Sequence, residues 1–328
     1  MEDNFVKLVL ENGGEIKPLL LPPNEMPGPS NTNPSVLVVD DKILVNIRNL
    51  NYILYHSELN VFENGDWGPL CYNHPELDIT LTTVNFLLEL NDKLETIKTS
   101  RIDTSAFDTY KPQWEFVGLE DVRLVQWNNK IYGVGVRRDL DTIGTGRMEL
   151  SELDITPDGV KEISRFRVPG PPPDTEYCMK NCTPIEDHPN ELLKWTNATA
   201  IMKFDPTGEK VTEVIETDEH TPGYRDMRGG SQVIKYKDGY LTLIHETDLW
   251  RTEQEKKNAT YRHRFVMWDK DFKNKKFSKI FSFLNMNIEF CCGLAEYKDN
   301  YLITFGAQDN AAYILKVPKD YLEKFINE

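Results

Sequence analysis

Two acidic side chains and a guanidinium stand close together in the segment GLEDVR, residues 118–123: they are Glu120, Asp121 and Arg123. Such a group can be a structural ion pair, or it can be a reaction centre in which a carboxyl group delivers or accepts a proton. The two hypotheses differ in what they require of the rest of the chain. A reaction centre needs further polar side chains from distant segments to converge on the same place.

This segment leads into a predicted β-hairpin. Residues 124–138 alternate like a strand pair around the turn Asn128-Asn129, and the pattern of a polar turn followed by a strand-like run recurs along the chain. Polar turns between alternating β-branched and aromatic residues are typical of hairpins. The five hairpins are predicted at 39–48, 127–136, 189–198, 236–245 and 297–306.

Five hairpins in 328 residues favour an all-β fold, a five-bladed β-propeller with loop insertions. Their irregular spacing argues against a solenoid, and a blade of four short strands needs about 40–50 residues. A pair of β-sandwiches is the alternative. We expect a single propeller domain over residues 1–328, with a short N-terminal extension and a closing helix formed by the C-terminal VPKDYLEKFINE.

Composition limits the partners of this domain. A net charge of −15 opposes general nucleic-acid binding, because that binding depends on basic side chains that neutralise phosphates. The N-terminal residues lack the pattern of a signal peptide, and no window approaches the ~20 apolar residues of a membrane span. We therefore expect a cytoplasmic protein without membrane contact.

The cysteines predict neither a disulfide framework nor a metal site. Five is an odd number in a long chain, so reduced thiols fit better. Cys178 and Cys182 have a spacing open to metal binding, but the other pair, Cys291-Cys292, is adjacent and suits a tetrahedral zinc site poorly. We expect neither a metal nor an organic cofactor.

Candidate site residues, most of them polar, accompany the predicted strands in every part of the chain. Strand ends in a propeller surround a common channel, so groups that are distant in sequence can meet there. The candidate site residues are Asn33, Ser35 and Arg48; Glu120, Asp121 and Arg123; Lys180 and Asn181; Arg228 and Ser231 of RGGSQ; Tyr261 and His263 of YRHRF; Phe290 of IEF; and Asp309 of GAQDNAA.

In this order the motifs resemble those of glycoside hydrolase family 130, whose members are five-bladed β-propellers, mostly inverting mannoside phosphorylases, with related β-mannosyltransferases. The resemblance covers residues 30–317. The detailed sequence is similar to that of a divergent branch of the family found in phages, large DNA viruses and some bacteria. A viral protein would act in the host cytoplasm. The family signature Glu-Asp-Pro-Arg reads Glu120-Asp121-Val122-Arg123 here, without the proline. The shared order favours the reaction centre over the structural ion pair for GLEDVR.

The resemblance implies a role for each residue. Asp121 would be the general acid that protonates the leaving oxygen by way of a sugar hydroxyl, with a pKa raised by burial and by Glu120, while Arg123 would bind Glu120 or the sugar. The phosphate-binding set would be Arg48, Lys180, Arg228 and Ser231. The saccharide would bind to Asn33, Ser35, Glu120, Arg123, Asn181 and Asp309, beside an aromatic wall of Tyr261, His263 and Phe290.

The expected function is that of a carbohydrate-active enzyme, a glycoside phosphorylase or glycosyltransferase. It would transfer a glycosyl group, mannosyl by resemblance, with inversion between a saccharide and inorganic phosphate, a sugar phosphate or a nucleotide sugar. Hydrolysis is one alternative, and it requires a second carboxylate such as Glu246 or Glu289 with room for water. A propeller that only binds glycans or a protein is the other, and it has no need of a buried Asp121 beside basic groups.

Two further features are interpreted as structural. His245 alternates with Leu243 in the strand-like run TLIHE and is expected to be a core histidine with satisfied hydrogen bonds. Arg137, Arg138 and Asp139 are expected to form a turn on the solvated surface.

Overall fold

The structure is a computed structural model of the chain and describes residues 3–56, 70–73, 80–171, 176–207, 210–216, 227–251 and 257–328. Strands dominate it, which confirms the all-β class. The helices are α1 (Phe5–Glu11) and α2 (Lys319–Asn327). In chain order the strands are β1 (Asp3–Asn4), β2 (Glu15–Pro18), β3 (Ser30–Val39), β4 (Lys42–Leu50), β5 (Ile53–His56), β6 (Leu70–Asn73), β7 (Leu81–Leu90), β8 (Thr96–Asp103), β9 (Phe116–Val117), β10 (Glu120–Trp127), β11 (Lys130–Arg137), β12 (Arg147–Thr156), β13 (Gly159–Arg167), β14 (Thr183–Pro184), β15 (Glu191–Trp195), β16 (Ala200–Asp205), β17 (Lys210–Glu216), β18 (Met227–Gly229), β19 (Ile234–Tyr236), β20 (Gly239–Arg251), β21 (Lys257–Asp269), β22 (Lys276–Phe277), β23 (Phe281–Ser282), β24 (Glu289–Tyr297), β25 (Asn300–Ala307) and β26 (Ala311–Pro318).

These strands form consecutive, mainly antiparallel sheets. The run β3, β4, β7 and β8 and the run β10 to β13 are joined into one nine-stranded sheet by a short parallel contact between β8 and β13, with β9 beside β7. Next come β14 to β17, then a seven-stranded sheet around the long hairpin of β20 and β21, and last the sheet β2, β26, β25 and β24. A separate hairpin joins β5 and β6.

The nine-stranded sheet, through β3, contacts the last sheet, through β24 and β25. β2 pairs with β26, so that residues near the start of the chain join its final sheet. Thr304 Oγ1 on β25 donates to the carbonyl of Pro34 on β3 at 2.6 Å. Gly293 on β24 permits a close approach, because a Cβ there would lie 2.9 Å from Cα of Ser35. Strands β3, β10 and β24 therefore meet near the centre of the molecule.

All five predicted hairpins are present. They are β3–β4, β10–β11, β14–β15, β19–β20 and β24–β25. Their turns use the backbone conformation for which Asp and Asn are suited: φ is 48° and 62° at Asp40 and Asp41, and 51° and 62° at Asn128 and Asn129.

Both helices pack on one apolar cluster. The predicted C-terminal helix is α2, whereas α1 was not predicted. Asn4 caps α1 by accepting a hydrogen bond from the backbone N–H of Lys7 at 2.9 Å. Phe5 of α1 contacts Phe325 of α2 with ring centroids 4.7 Å apart. Burial of such a side chain contributes about 1.5–3 kcal/mol, so this contact helps to hold both helices to the sheets.

Two further observations concern the helices and the cysteine thiols. No helix in the described ranges is long and apolar enough to cross a membrane. Cys178, Cys182, Cys291 and Cys292 are free thiols, as expected, while the side chain of Cys71 lies outside the described part of the chain.

Candidate active site

Four of the predicted site residues stand in unusual backbone conformations. Asn33, Asp121, Asn181 and Asp309 have φ of 42°, 50°, 60° and 49°, in the left-handed region that residues other than glycine seldom adopt. The register of β3 shifts at Asn33 and that of β10 shifts at Asp121, so both residues lie in β-bulges. Bulges re-aim side chains, and strained residues of this kind cluster at functional sites. Outside the hairpin turns, residues with a positive φ thus include several that the motifs indicate.

Three carboxylates, Glu120, Asp121 and Asp309, form what we call the acidic cluster. Arg48 on β4 binds two of them: its Nη1 donates to Oδ1 of Asp121 at 2.8 Å, and its Nη2 donates to Oε2 of Glu120 at 3.0 Å. These are short, charge-assisted bonds. The side chain of Asp121 is 16% exposed and that of Arg48 is 5% exposed, so solvent screens the pair only weakly.

Arg48 was predicted to bind phosphate. In addition to the two carboxylate bonds, its Nε donates to Oγ1 of Thr83 at 3.1 Å and its Nη2 donates to the hydroxyl of Tyr52 at 3.0 Å. A guanidinium has five N–H donors, and these contacts leave one for a ligand. Arg48 is therefore chiefly a partner of the acidic cluster, and its contact with phosphate stays a prediction.

Asn33 connects the third carboxylate to the other two. Its Nδ2 donates to Oδ1 of Asp121 at 2.9 Å and to Oδ1 of Asp309 at 3.2 Å, while its own Oδ1 accepts from the hydroxyl of Thr32 at 2.8 Å. Gly306 makes room for this amide, since a Cβ there would collide with Asn33. The amide is held from both ends, and it keeps the two carboxylate oxygens within about 6 Å of each other.

The three carboxyl groups differ in their pKa. Burial raises the pKa of Asp121, but the charges of Arg48 and Arg123 outweigh it and the net shift is downward. Burial is the main cause of the raised pKa of Glu120 and of Asp309, and the charge of Asp121 adds to the shift in both. The expectation of a raised pKa at Asp121 is therefore wrong for this structure, because the sequence does not reveal that Arg48 reaches its carboxylate.

Basic and aromatic side chains complete the surroundings of the acidic cluster. Lys180 is exposed, and its charge acts to lower the pKa of two of the three carboxyl groups. Burial raises the pKa of Tyr261 to about 12; the charge of Asp309 adds to this shift and that of Arg228 opposes it. Lys180, Arg228 and Tyr261 thus lie within electrostatic reach of the cluster.

Arg123 does not bind Glu120, and its side chain does not face a space that a ligand could enter. Both observations are contrary to the prediction. Its side chain has no exposed surface. Its Nη1 donates to the backbone carbonyl of Asp121 at 2.6 Å, its Nε to that of Gly230 at 2.8 Å, and its Nη2 to that of Gly229 at 3.4 Å. This interior position excludes a direct contact with a saccharide in the present arrangement.

Three further predicted ligands are turned into the interior. The hydroxyl of Ser231 donates to the carbonyl of Gln232 at 2.9 Å and accepts from the N–H of Leu243 at 3.0 Å, so the prediction that it binds phosphate is wrong for this structure. Ser35 and His263 likewise have no exposed surface. Neither side chain can touch a saccharide without a rearrangement of the strands.

His245 and His263 are both core residues. Burial lowers the pKa of both, to about 3 in His263, so both rings are neutral. The ring of His263 lies 4.8 Å from that of Phe283, and the ring of His245 lies 4.8 Å from that of Phe290. The core position of His245 is confirmed, although its Nδ1 has no hydrogen-bond partner among the described residues. His263 is therefore not part of the aromatic wall that was predicted to contact the saccharide.

Asn181 and Phe290 lie at the edge of the site. Both are almost fully buried. Asn181 has φ of 60°, and its carbonyl oxygen stands where a Cβ on Gly229 would collide with it. The ring of Phe290 lies 5.3 Å from Cζ of Arg123. Both residues support the framework of the site, and their contact with a saccharide stays a prediction.

The two carboxylates named for hydrolysis are committed elsewhere. Glu246 forms an ion pair with Arg264. Glu289 has no exposed surface and accepts hydrogen bonds from the backbone N–H groups of residues 283, 284 and 286 at 2.6, 2.7 and 3.0 Å. Neither carboxylate is placed to activate a water molecule opposite Asp121.

Two neighbours of the acidic cluster were not predicted from the sequence. Tyr52 accepts from Arg48, but it belongs to no motif. Arg138 was expected on the solvated surface; it is instead half-buried, and its charge acts on Glu120. Its guanidinium lies 5.7–6.0 Å from the rings of Trp114, Phe116 and Tyr177.

The described residues include no candidate metal centre, and a cavity lies outside the acidic cluster. Within the described residues, no group of three or more His, Cys, Asp or Glu side chains is arranged to hold a metal ion. A cavity of about 260 Å³ lies beside the strands β7 to β13, and the lining includes Asn46, Arg137 and Asp139 but none of the three carboxylates of the acidic cluster. Arg137 and Asp139 are paired with each other, so their charges are already compensated.

Comparison with known proteins finds similar folds but no similar sequences. No family profile and no curated protein matches the chain by sequence. Solved structures of similar fold include a β-1,2-mannobiose phosphorylase from Listeria innocua in complex with β-1,2-mannobiose, with 14% identity, a TM-score of 0.57, and 95% of this chain and 96% of that chain covered. They also include MPT-4, a mannose phosphorylase from Leishmania mexicana in complex with phosphate ion, with 14% identity, a TM-score of 0.53 and 97% and 93% covered.

The fold is not confined to phosphorylases. The RS223 β-xylosidase matches with 12% identity, a TM-score of 0.54, and 92% of this chain and 94% of that chain covered. These likenesses agree with the resemblance to glycoside hydrolase family 130 found in the sequence. Over nearly its whole length the chain therefore shares a fold that occurs in mannoside phosphorylases and in a β-xylosidase.

Proposed function

We propose that the protein is a carbohydrate-active enzyme, a glycoside phosphorylase that transfers a mannosyl group with inversion between a β-mannoside and inorganic phosphate. The observation that carries the proposal is the bonding of Arg48 to two carboxylates of the acidic cluster, with Asn33 holding the third. Carboxylates and an amide suit sugar hydroxyls, and cations close by suit phosphate. A sugar phosphate or a nucleotide sugar would use the same cations in a glycosyltransferase.

The proposed architecture is a single five-bladed propeller domain over residues 1–328. The run β3, β4, β7 and β8, the run β10 to β13 and the sheet β14 to β17 would be the first three blades. The sheet around β20 and β21 would be the fourth, and β24 to β26 with β2 the fifth. The proposal is supported because each of these groups contains one of the five predicted hairpins.

In the proposed mechanism Asn33 and Asp309 orient the sugar, and Asp121 supplies the proton to the leaving oxygen by way of a sugar hydroxyl. Oδ1 of Asp121 already accepts from Arg48 and Asn33, so its Oδ2 is the oxygen left to face the substrate. A fixed carboxylate of this kind is suited to proton transfer, because its geometry is set before the substrate arrives.

The lowered pKa of Asp121 gives phosphate a second role. An acid must be protonated before it can act, and in this structure the charge of Arg48 keeps Asp121 ionised. A phosphate bound to Lys180, Arg228 and the remaining N–H of Arg48 would neutralise part of that positive charge and raise the pKa of Asp121. The acid would then be ready only when the phosphate is in place.

The alternatives fit the site less well. Hydrolysis needs a second carboxylate with room for a water molecule between it and Asp121. Glu246 and Glu289 are both bound elsewhere, and Glu120 is bound to Arg48. The amide of Asn33 stands between Asp309 and Asp121 and bonds to both. A module that only binds glycans has no need of an aspartate at a positive φ that is paired with a buried arginine. These observations favour an enzyme that uses phosphate.

The test is to incubate the protein with β-1,2- or β-1,4-mannobiose in the presence and absence of inorganic phosphate, and in parallel with nucleotide sugars. We expect mannose 1-phosphate to form only with phosphate, and NMR of the first product to show the α-anomer, which is inversion. Release of free mannose without phosphate would instead establish hydrolysis. Tight glycan binding with no turnover of any donor would establish a binding protein.

A further inference from the structure

Arg123 is a fully buried cation that binds the backbone and not an acid. Its three hydrogen bonds all go to carbonyl oxygens, at Asp121, Gly229 and Gly230. Within the described chain it forms no ion pair, although two carboxylates of GLEDVR stand within three positions of it in sequence. A buried charge is costly, so its retention here calls for a specific purpose.

The three carbonyls belong to two segments that are distant in sequence. One is the bulge of β10, where Asp121 has φ of 50°. The other is the end of β18, which also carries Arg228. A planar guanidinium can span both segments because its donors form a rigid fork, and the ammonium group of a lysine cannot. Arg123 therefore fixes the distance between the backbone of Asp121 and the backbone that carries Arg228.

The packing around this fork leaves little freedom. A Cβ on Gly229 would collide with the carbonyl of Asn181, and one on Gly230 would collide with the carbonyl of Leu243. The ring of Phe290 covers the guanidinium from one side. The glycines of RGGSQ thus serve close packing around Arg123, whereas the sequence suggested that they open the backbone to phosphate.

We propose that Arg123 is a positioning residue that holds the Asp121 carboxylate at a fixed spacing from Arg228, and so sets the gap that a mannosyl group and a phosphate must bridge. This inference rests on the proposed function. Arg123 acts through two backbone segments and touches neither substrate. Its charge also acts on the Asp121 carboxylate, so geometry and charge can be separated by substitution.

Two variants make that separation. Arg123→Lys keeps a positive charge but cannot bind all three carbonyls, so kcat should fall by about 10²-fold while the KM for the mannoside changes by less than about threefold. Arg123→Met removes the charge as well, and the pKa of the Asp121 carboxyl, followed by 13C NMR titration, should then rise. In Arg123→Lys that pKa should stay closer to the wild-type value.

Arg147→Met is the matched control. Arg147 on β12 is also buried and donates to two backbone carbonyls, at Gly146 and Glu176, but it lies outside the candidate site. The control should lower thermal stability and leave kcat per folded molecule unchanged. An equal loss of kcat in Arg147→Met, or a wild-type kcat in Arg123→Lys, would overturn the positioning role.

The NMR measurement separates this inference from the proposed function. If the wild-type protein turns over no mannoside, the proposed function fails, and an unchanged pKa of Asp121 in Arg123→Met would overturn the present inference independently. Should Arg123→Met not fold, a titration of Asp121 in folded Arg123→Lys decides the geometric part. A wild-type carbon chemical shift at Asp121 in that variant, with wild-type kcat where turnover exists, would contradict it.

Discussion

Two groups of largely buried charges in this protein are built differently. In the acidic cluster two carboxylates share Arg48, and the third, Asp309, accepts hydrogen bonds from Asn33 and Thr32 but forms no ion pair within the described residues. In the second group, which we call the Arg137 network, every carboxylate contacts a guanidinium of its own sheet or of an adjacent loop. The network consists of Arg137, Arg165, Asp108, Asp139, Glu149 and Glu162.

The backbones differ as well. Arg137 and Glu149 stand on neighbouring strands, with Nε and Oε2 at 2.8 Å, and no residue of the Arg137 network has a positive φ. The acidic cluster contains two such residues, Asp121 and Asp309, and Asn33, which bonds to both of them, is another. Regular strands with matched charges are sufficient for stability. Strained backbone with unmatched charges costs stability, and that cost is understandable where the carboxylates must meet a substrate.

The largest expected effect is on turnover. Asp121→Asn keeps the size of the side chain and its bond to Asn33 but cannot deliver a proton, so kcat should fall by ~10²–10⁴-fold while saccharide affinity is kept. Steady-state kinetics and calorimetric titration with the mannoside measure the two quantities. The matched change Asp139→Asn, in the Arg137 network, should lower thermal stability and spare kcat. If Asp121→Asn unfolds the protein but keeps activity per folded molecule, the acidic cluster is structural like the Arg137 network, and the contrast between them is wrong.

The next effect is on stability. Arg137→Met leaves buried Glu149 without its main partner and removes the guanidinium beside Asp139, so the free energy of unfolding should fall by about 3–5 kcal/mol. Urea denaturation followed by fluorescence measures it, and kcat per folded molecule should not change. Arg101→Met, at an exposed arginine on β8, is the control and should shift stability by less than ~0.5 kcal/mol. A loss of similar size in both variants would mean that the Arg137 network does not stabilise the fold.

A smaller effect is expected on the affinity for phosphate. Lys180→Ala removes an exposed point charge beside the acidic cluster, so the KM for phosphate should rise about tenfold with little change in the KM for the mannoside. Lys130→Ala, at an exposed lysine that pairs with Glu152 on β11 and β12, is the control. An unchanged KM for phosphate in Lys180→Ala would remove Lys180 from the proposed phosphate site.

The same contrast explains what could be predicted from the sequence. The five hairpins follow from local turn chemistry, and Asn33, Arg48, Asp121 and Asp309 could be grouped because each belongs to a motif. The wrong predictions concern contacts between strands. Nothing local shows that Arg123 turns toward Gly230, that Ser231 accepts from the N–H of Leu243 on β20, or that Arg137 pairs with Glu149 on β12. Such contacts depend on which strands become neighbours, and the pattern of one strand does not contain that information.

The smallest expected effect is a gain in stability when the unmatched carboxylate is removed. The pKa of Asp309 is raised, chiefly by burial, so its ionisation opposes folding above that pKa, and this cost disappears as the pH falls through the folded pKa toward the unfolded value. Asp309→Asn should therefore stabilise the fold at pH 8 by about 0.5–2 kcal/mol, with a gain that shrinks toward pH 4, while mannoside affinity falls.

The control for Asp309→Asn is Asp108→Asn in the Arg137 network. Burial raises the pKa of Asp108, but its bonds with Thr104 and Arg165 lower it by more. Ionised Asp108 thus supports folding above its unfolded pKa, and this support is lost as the pH falls through the lower, folded value. Asp108→Asn should destabilise at pH 8, with a loss that shrinks toward acid pH. Urea denaturation of both variants from pH 4 to 8 measures the two slopes, and slopes of the same sign would show that Asp309 is matched within the fold as Asp108 is.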